Sequence, residues 1–423
     1  MNINNSIQSE VNNNIFLNIL HLLLFLFLAL RPIIDLQGRF EGNGLNLGGA
    51  IGLIIFILVI MVFCFSKKSI NKTLIFLYYL FIMLCLLFVV NAVFSNFDNL
   101  IIIEFSRLLI GFSLIFLLSI SNKKIIEKNV ILYIKLFIFS CFIPIVIAWC
   151  QFFGIYPYTY FDVVNGDYVG RPSGGYFQPS SLTRIMIFFA IYLYITRYLN
   201  LIKTLPMYIL LFISILTTVI STHRTSVIII LLIVVLFEMF NFLEKKKIKL
   251  ESIILFIVFF IPISLFLFIY TNYRYNDIIF SNIQTSILNM LSSMGSLNIN
   301  SDDFLRGRGW RWERTIEYMN NSFLNVKLVG NGYQVYESHN DMLNIYMVTG
   351  AIGCVLFFTI YSIIYVYIRK RVDLVGKRIL FVVFITFFIF GITLQPTFYP
   401  NFMCMFFVTL IIILIKFNNR LSI

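Results

Sequence analysis

Apolar runs of roughly 17 to 25 residues recur along the whole chain, and each is long enough to cross a hydrocarbon core of about 30 Å as an α-helix. They predict spans at 15–34, 47–65, 74–94, 101–120, 130–152, 180–199, 205–221, 225–243, 252–271, 340–368, 378–394 and 399–417. The expected fold class is an all-α polytopic membrane protein with about twelve transmembrane helices, leaving no stretch for a separate soluble domain. Residues 1–271 hold the first nine spans and the loop 153–179, residues 272–339 form one long loop, and residues 340–423 hold the last three spans. The first run lacks a small-residue cleavage site and its flank, Glu10 to Asn14, is not basic, so it is expected to remain as a span.

Composition points the same way. The chain of 423 residues is 60% hydrophobic and 12% charged, with a mean hydropathy of +0.92, which excludes a soluble domain. A net charge of +13 would suit a nucleic-acid binder, but the basic residues are first a matter of topology. Alternate loops carry Lys67, Lys68 and Lys72; Lys123, Lys124 and Lys128; Arg197 and Lys203; Lys245, Lys246, Lys247 and Lys249; Arg369, Lys370, Arg371, Lys377 and Arg378; then Lys416 and Arg420. The positive-inside rule makes this set and both termini cytoplasmic, and nucleic acid is not an expected partner. The outer side then holds both long connections, 153–179 and 272–339, where function is expected. Cys64, Cys85, Cys141, Cys150, Cys354 and Cys404 all lie in apolar runs without metal-ligand spacing and read as small core residues.

Eight outward basic residues have no topological role: Arg171, Arg184, Arg224, Arg306, Arg308, Arg311, Arg314 and His339. Arg184 falls one turn into the sixth span, after a Pro179 that suits a helix's first turn. Its guanidinium is expected near the outer interface, either on a phosphate ligand or snorkelling to lipid. Arg224 sits in the short turn Ser221-Thr222-His223-Arg224-Thr225-Ser226, where a rigidly held arginine suits a diphosphate or an interfacial anchor, and His223 reads as a turn residue. A helix starting near Gly309 would put Trp312, Ile316 and Met319 on one face and Arg311, Arg314 and Tyr318 on another. Such an amphipathic segment lies against the protein or on anionic lipid. His339-Asn340-Asp341 follows the turn Val329-Gly-Asn-Gly332 and directly precedes the tenth span, which puts the imidazole at the outer mouth, as a base or as a structural residue.

Arginines that neutralise a diphosphate leaving group and a histidine that takes a hydroxyl proton would together suit an enzyme acting on a lipid diphosphate donor, with no metal or other cofactor required. A metal route would want clustered carboxylates, and the outer side offers Asp302-Asp303 and singles such as Asp162, Asp167 and Glu337. No Walker loop, serine-nucleophile motif or dinucleotide fingerprint is present.

Gly307-Arg308-x-x-x-Trp312, Leu328-Val-Gly330-Asn-Gly332, His339-Asn340-x-x-Leu343 and Gly350-Ala-Ile-Gly353 follow in that order, and the series resembles the O-antigen ligase and polymerase superfamily. Upstream, Arg171-Pro-Ser-Gly-Gly-Tyr-Phe-Gln-Pro-Ser180 is similar to that family's arginine-to-proline loop, and Thr222-His-Arg224-Thr-Ser226 to its Ser-Arg turn. The likeness covers roughly residues 165–360, with Ser180 standing where asparagine is common and His223 where serine usually precedes the arginine. It implies a GT-C-like fold and an inverting, metal-independent glycosyltransferase using undecaprenyl-diphosphate-linked glycan at the periplasmic face of the bacterial inner membrane. By the same resemblance Arg171, Arg184, Arg224 and Arg308 contact diphosphate and His339 is the base, which makes His339 and Arg308 the expected catalytic residues; Arg311 and Arg314 are further expected to join the diphosphate set, and Asn340, Trp312 and Tyr318 to position acceptor or donor. The implied partners are the lipid-linked oligosaccharide, membrane lipids and a chain-length regulator protein.

Two relatives share that chemistry, a polymerase that joins repeat units and a ligase that moves polymer onto lipid A core. The large loop favours the polymerase. A flippase for lipid-linked sugars is the reading of another class, but transporters keep outer loops short and place charge midway through helices. Here the mid-span regions hold little charge apart from Glu104 and Arg107. A structural scaffold would leave the outward arginines unexplained.

Overall fold

Lipid offers backbone amides no hydrogen-bond partner, so apolar runs of this length close their N–H and C=O groups within helices. The computed structural model describes residues 2–36, 47–66, 70–94, 98–119, 123–164, 167–221, 223–245 and 308–418. Its helices are α1 (Asn2–Ala29), α2 (Arg31–Ile34), α3 (Leu47–Phe65), α4 (Lys72–Phe94), α5 (Asn99–Phe112), α6 (Lys123–Phe152), α7 (Pro179–Tyr198), α8 (Thr204–Ile220) and α9 (Arg224–Lys245). After the undescribed stretch come α10 (Arg308–Asn321), α11 (Leu324–Val329), α12 (Asp341–Arg369), α13 (Leu374–Thr393) and α14 (Pro400–Lys416). Among the described residues seven helices are long and apolar enough to cross a membrane, and four shorter apolar helices accompany them. The chain therefore has transmembrane character. The expected span 252–271, Arg306 and the Asp302-Asp303 pair lie outside the described residues.

Three local features depart from a simple series of helices. The run expected at 101–120 is α-helical only to Phe112 and continues as a 3₁₀ segment, Ser113–Ser119. The loop expected at 153–179 contains an antiparallel hairpin of β1 (Phe161–Val164) and β2 (Asp167–Gly170), so the all-α expectation holds for the spans but not for this connection. Its sequence signal is the Asn165-Gly166 pair between strand-like residues. Finally, α12 is two helices run together, broken at Gly350, whose φ of 64° and ψ of −169° are not helical.

The chain forms two compact units. One holds residues 1–143, 352–388 and 396–423. Its interior is aromatic: Phe112 packs edge-on against Phe357 and Phe407, and the Tyr361 ring lies 4.8 Å from that of Phe387, with its hydroxyl 3.1 Å from Thr397 Oγ1. Charges inside it are paired, as burial in an apolar medium requires. Buried Arg31 donates from Nε to Asp35 Oδ2 at 3.0 Å and from Nη2 to Asn401 Oδ1 at 2.8 Å. Glu104 accepts from Arg107 Nη1 at 2.9 Å, so the two mid-span charges form one i,i+3 pair.

The other unit holds residues 144–351 and 389–395. Two of the four boundaries fall where helices are interrupted chemically, at Pro144 within α6 and beside Gly350 within α12. Its core is α7, buried continuously from Leu182 to Thr196 and packed against α8 and α9. At the far end of α7, Tyr194 and Arg197 both donate to Glu238 Oε1, at 3.0 and 3.3 Å, which ties α7 to α9.

Candidate functional site

All the sequence-selected site residues that the structure describes belong to the second unit. Arg171 opens the loop that follows β2, and its backbone N–H donates to Tyr160 O at 3.0 Å. Irregular backbone inside a membrane protein needs internal hydrogen-bond partners, and Gln151 supplies them here. This fully buried side chain accepts at Oε1 from the Ser173 and Gly174 amides, at 2.9 and 3.0 Å, and donates from Nε2 to Pro157 O at 3.1 Å. Gly174 is at φ 65°, and a Cβ there would meet Pro144 O at 2.7 Å, so only glycine permits the approach. Pro172, Ser173 and Tyr176 are buried, while Arg171 itself is half-buried at the mouth of this pinned loop.

Arg184 is buried. Its side chain bends back toward the start of α7, as helical side chains do, with Nε donating to Ser180 O at 3.0 Å and Nη2 to Ser181 Oγ at 3.0 Å. The head is held against its own first turn. Arg224 and Arg308 are the first residues of α9 and α10, and their side chains are outside the described ones. His223 is a turn residue, its Nδ1 lying 2.8 Å from Ser226 Oγ at the start of α9.

On α10 the buried positions are Thr315 and Met319, flanked by half-buried Arg311, Trp312 and Tyr318, while Ile316 is exposed. Of the expected apolar face, Met319 is buried and Trp312 half-buried while Ile316 is exposed, and of the expected Arg311, Arg314 and Tyr318 face only Arg314 is exposed, because small Thr315 is what packs inward. Aromatic rings then gather the cations. The Arg314 guanidinium lies 4.1 Å from the Tyr336 ring centroid and 5.5 Å from that of Trp310. Tyr318 meets Tyr336 edge-on at 5.5 Å and donates to Asn331 Oδ1 at 3.2 Å. The Trp312 Nε1–H is buried and finds no acceptor among the described residues.

Glu337 brings Arg311 and His339 together. Its Oε2 is 3.9 Å from Arg311 Nη1 and its Oε1 is 3.8 Å from His339 Nδ1, distances of ion pairing rather than hydrogen bonding. His339 has φ 51°, a left-handed conformation rarely taken by a residue with a side chain. Buried Ser338 holds the turn, donating to Asn344 Oδ1 at 2.8 Å and accepting from Asn340 N at 3.2 Å. Asn340 is the cap of α12: its Oδ1 accepts from Leu343 N at 3.1 Å and its Nδ2 donates to Ile392 O at 3.3 Å. Capping is thus done by Asn340, not by His339.

The turn before His339 is fixed by two glycines. Gly330 and Gly350, at φ 81° and 64°, bring the backbones of 328–330 and 348–350 so close that a Cβ on either would strike the other's main chain. Asn331 N and Gly332 N then donate to Met347 O and Val348 O, both at 2.9 Å, satisfying carbonyls that the helix break releases. Sequence reasoning passed over Tyr336, Asn331 and Asn344 as site residues and treated Glu337 as a scattered carboxylate. Asn344 is wholly buried, and its Nδ2 finds no acceptor among the described residues. The available signal was proximity in sequence to His339.

Among the described residues no three His, Cys, Asp or Glu side chains are grouped to hold a metal ion. No family model matches the chain, and no curated protein matches it.

Proposed function

We propose that this protein is a polysaccharide polymerase of the O-antigen type, a GT-C-like glycosyltransferase of the bacterial inner membrane. In this reading it has twelve spans, cytoplasmic termini and a periplasmic working face. It joins an undecaprenyl-diphosphate-linked glycan to the next lipid-linked repeat unit, and a chain-length regulator is its expected protein partner. The observation that carries the reading is the meeting of guanidinium, carboxylate and imidazole at Arg311, Glu337 and His339, with the histidine held in a left-handed turn at the start of α12.

The acceptor hydroxyl gives its proton to His339 while its oxygen attacks the anomeric carbon from the side opposite the diphosphate. The bond from that carbon to the diphosphate oxygen breaks, and the released negative charge falls to the arginines. Glu337, 3.8 Å from Nδ1, sets a carboxylate beside the imidazolium that forms when the proton is taken. One displacement inverts the centre without a covalent enzyme intermediate.

Purified protein incubated with a lipid-linked repeat unit alone should build a ladder of longer glycans. Transfer that occurs only when lipid A core is supplied would identify a ligase instead, and movement of the lipid-linked sugar across a vesicle without bond formation would identify a flippase.

A further inference from the structure

An apolar side chain facing lipid is ordinary on a spanning helix but calls for an account on an element too short to span. The six-residue α11 and the residue before it expose Phe323 by 84%, Leu324 by 71% and Leu328 by 42%. Phe323 is the most exposed large hydrophobic side chain among the described residues. The exposed positions of the preceding α10 are mostly polar, Glu313, Arg314, Glu317, Asn320 and Asn321 beside Trp310 at 53% and Ile316 at 48%, so the two most exposed apolar side chains of this segment lie at the tip where α10 turns into α11.

The level of that tip is set by its C-terminal anchor. Leu328 and Gly330 press on the backbone of Val348 to Gly350. At this point α12 changes character: none of residues 341–350 is exposed, whereas Ala351 and Ile352 are. From 351 to Arg369 the helix runs about 19 residues, roughly 28 Å, which alone crosses a hydrocarbon core of about 30 Å. A crossing by 351–369 would put Gly350, and with it the segment packed upon it, at an edge of the hydrocarbon layer.

We propose that Phe323, Leu324 and Leu328 form a monotopic membrane anchor, inserted among the acyl chains of bilayer lipids at the boundary marked by Gly350. Lys327, on the same turn as Leu324 and Leu328, supplies a cation at headgroup level. The anchor fixes the depth of α10 and hence of Arg311 and Arg314 against the membrane. It goes beyond the glycosyltransferase reading and does not depend on it.

To test this, the full chain is placed in phosphatidylcholine–phosphatidylglycerol nanodiscs with an environment-sensitive fluorescent amino acid at position 323 or 324, or at position 313 as the solvated comparator. Emission at 323 and 324 should be quenched by phosphatidylcholine spin-labelled near the headgroup and be at least about threefold less sensitive to aqueous iodide than at 313. Equal iodide quenching at all three positions would overturn the proposal. So would shielding from both quenchers at 323 and 324, because protein rather than lipid would then cover the tip. A probe at 328 reads the same question if either tip variant fails to accumulate.

Discussion

Replacing Gly350 with alanine places a methyl group on the Leu328 carbonyl and asks a residue with a Cβ to hold φ 64°. With ψ at −169° this is a region that essentially only glycine occupies, and holding it costs a residue with a Cβ about 1 to 3 kcal/mol. Relief of the overlap requires residues 328–332 to lift away, which breaks the bonds from Asn331 N to Met347 O and from Gly332 N to Val348 O, both 2.9 Å. The docked arrangement therefore loses up to about 3 kcal/mol, a factor on the order of a hundred in its population. Hydrogen exchange on the full chain in nanodiscs reads this directly: the amides of Asn331 and Gly332 should exchange about a hundredfold faster in Gly350→Ala. Gly330→Ala should behave alike, since its Cβ would strike Val348 O, whereas Gly49→Ala, with nothing within 4 Å of its Cβ, should leave both amides protected. Unchanged exchange in Gly350→Ala would refute the argument that the paired glycines dock this segment.

Gln151→Ala would strand the buried Ser173 and Gly174 amides, at about 1 to 3 kcal/mol each, and should lower the thermal midpoint by several degrees; an unchanged midpoint would show that Gln151 does not pin the loop. His339→Ala should bind donor normally but turn over at least about a hundredfold more slowly, and His339→Gln should be nearly as poor. Because Asn340 already caps α12, a fast glutamine variant would remove His339 from the chemistry. A cysteine at position 301 should react with an impermeant reagent in intact cells, since the adjoining loops expected at 244–251 and 369–378 carry the positive charge; labelling only after permeabilisation would reverse the orientation.

Most of the spans could be read from the chain because hydropathy over about twenty residues is a local property that lipid tests directly. The helices found at 72–94, 179–198, 224–245, 374–393 and 400–416 start and stop within a few residues of the runs that predict them. The pairing of β1 with β2 was legible too, from the Asn165-Gly166 dipeptide in the sequence, but a length criterion for spans passes over it. The candidate site was half legible. Its cations and His339 stand out because a bilayer protein places few charges without reason. Their neighbours do not: Tyr336 matters because Arg314 rests on it, and Asn344 because Ser338 reaches it, relations between side chains that no spacing rule encodes.

By itself, then, the sequence determined that this chain is a multi-helix membrane protein with a cationic segment leading into a histidine before a late apolar helix. Only the tertiary structure decided that the late helix is broken at Gly350, that Arg184 folds back on its own first turn, and that Glu337 lies between Arg311 and His339. The reason is one of range. Hydrophobic length acts residue by residue, whereas a glycine's need for a bare Cα, or a carboxylate's choice of partner, arises from backbone and side chains about twenty residues distant that packing alone brings within a few ångströms.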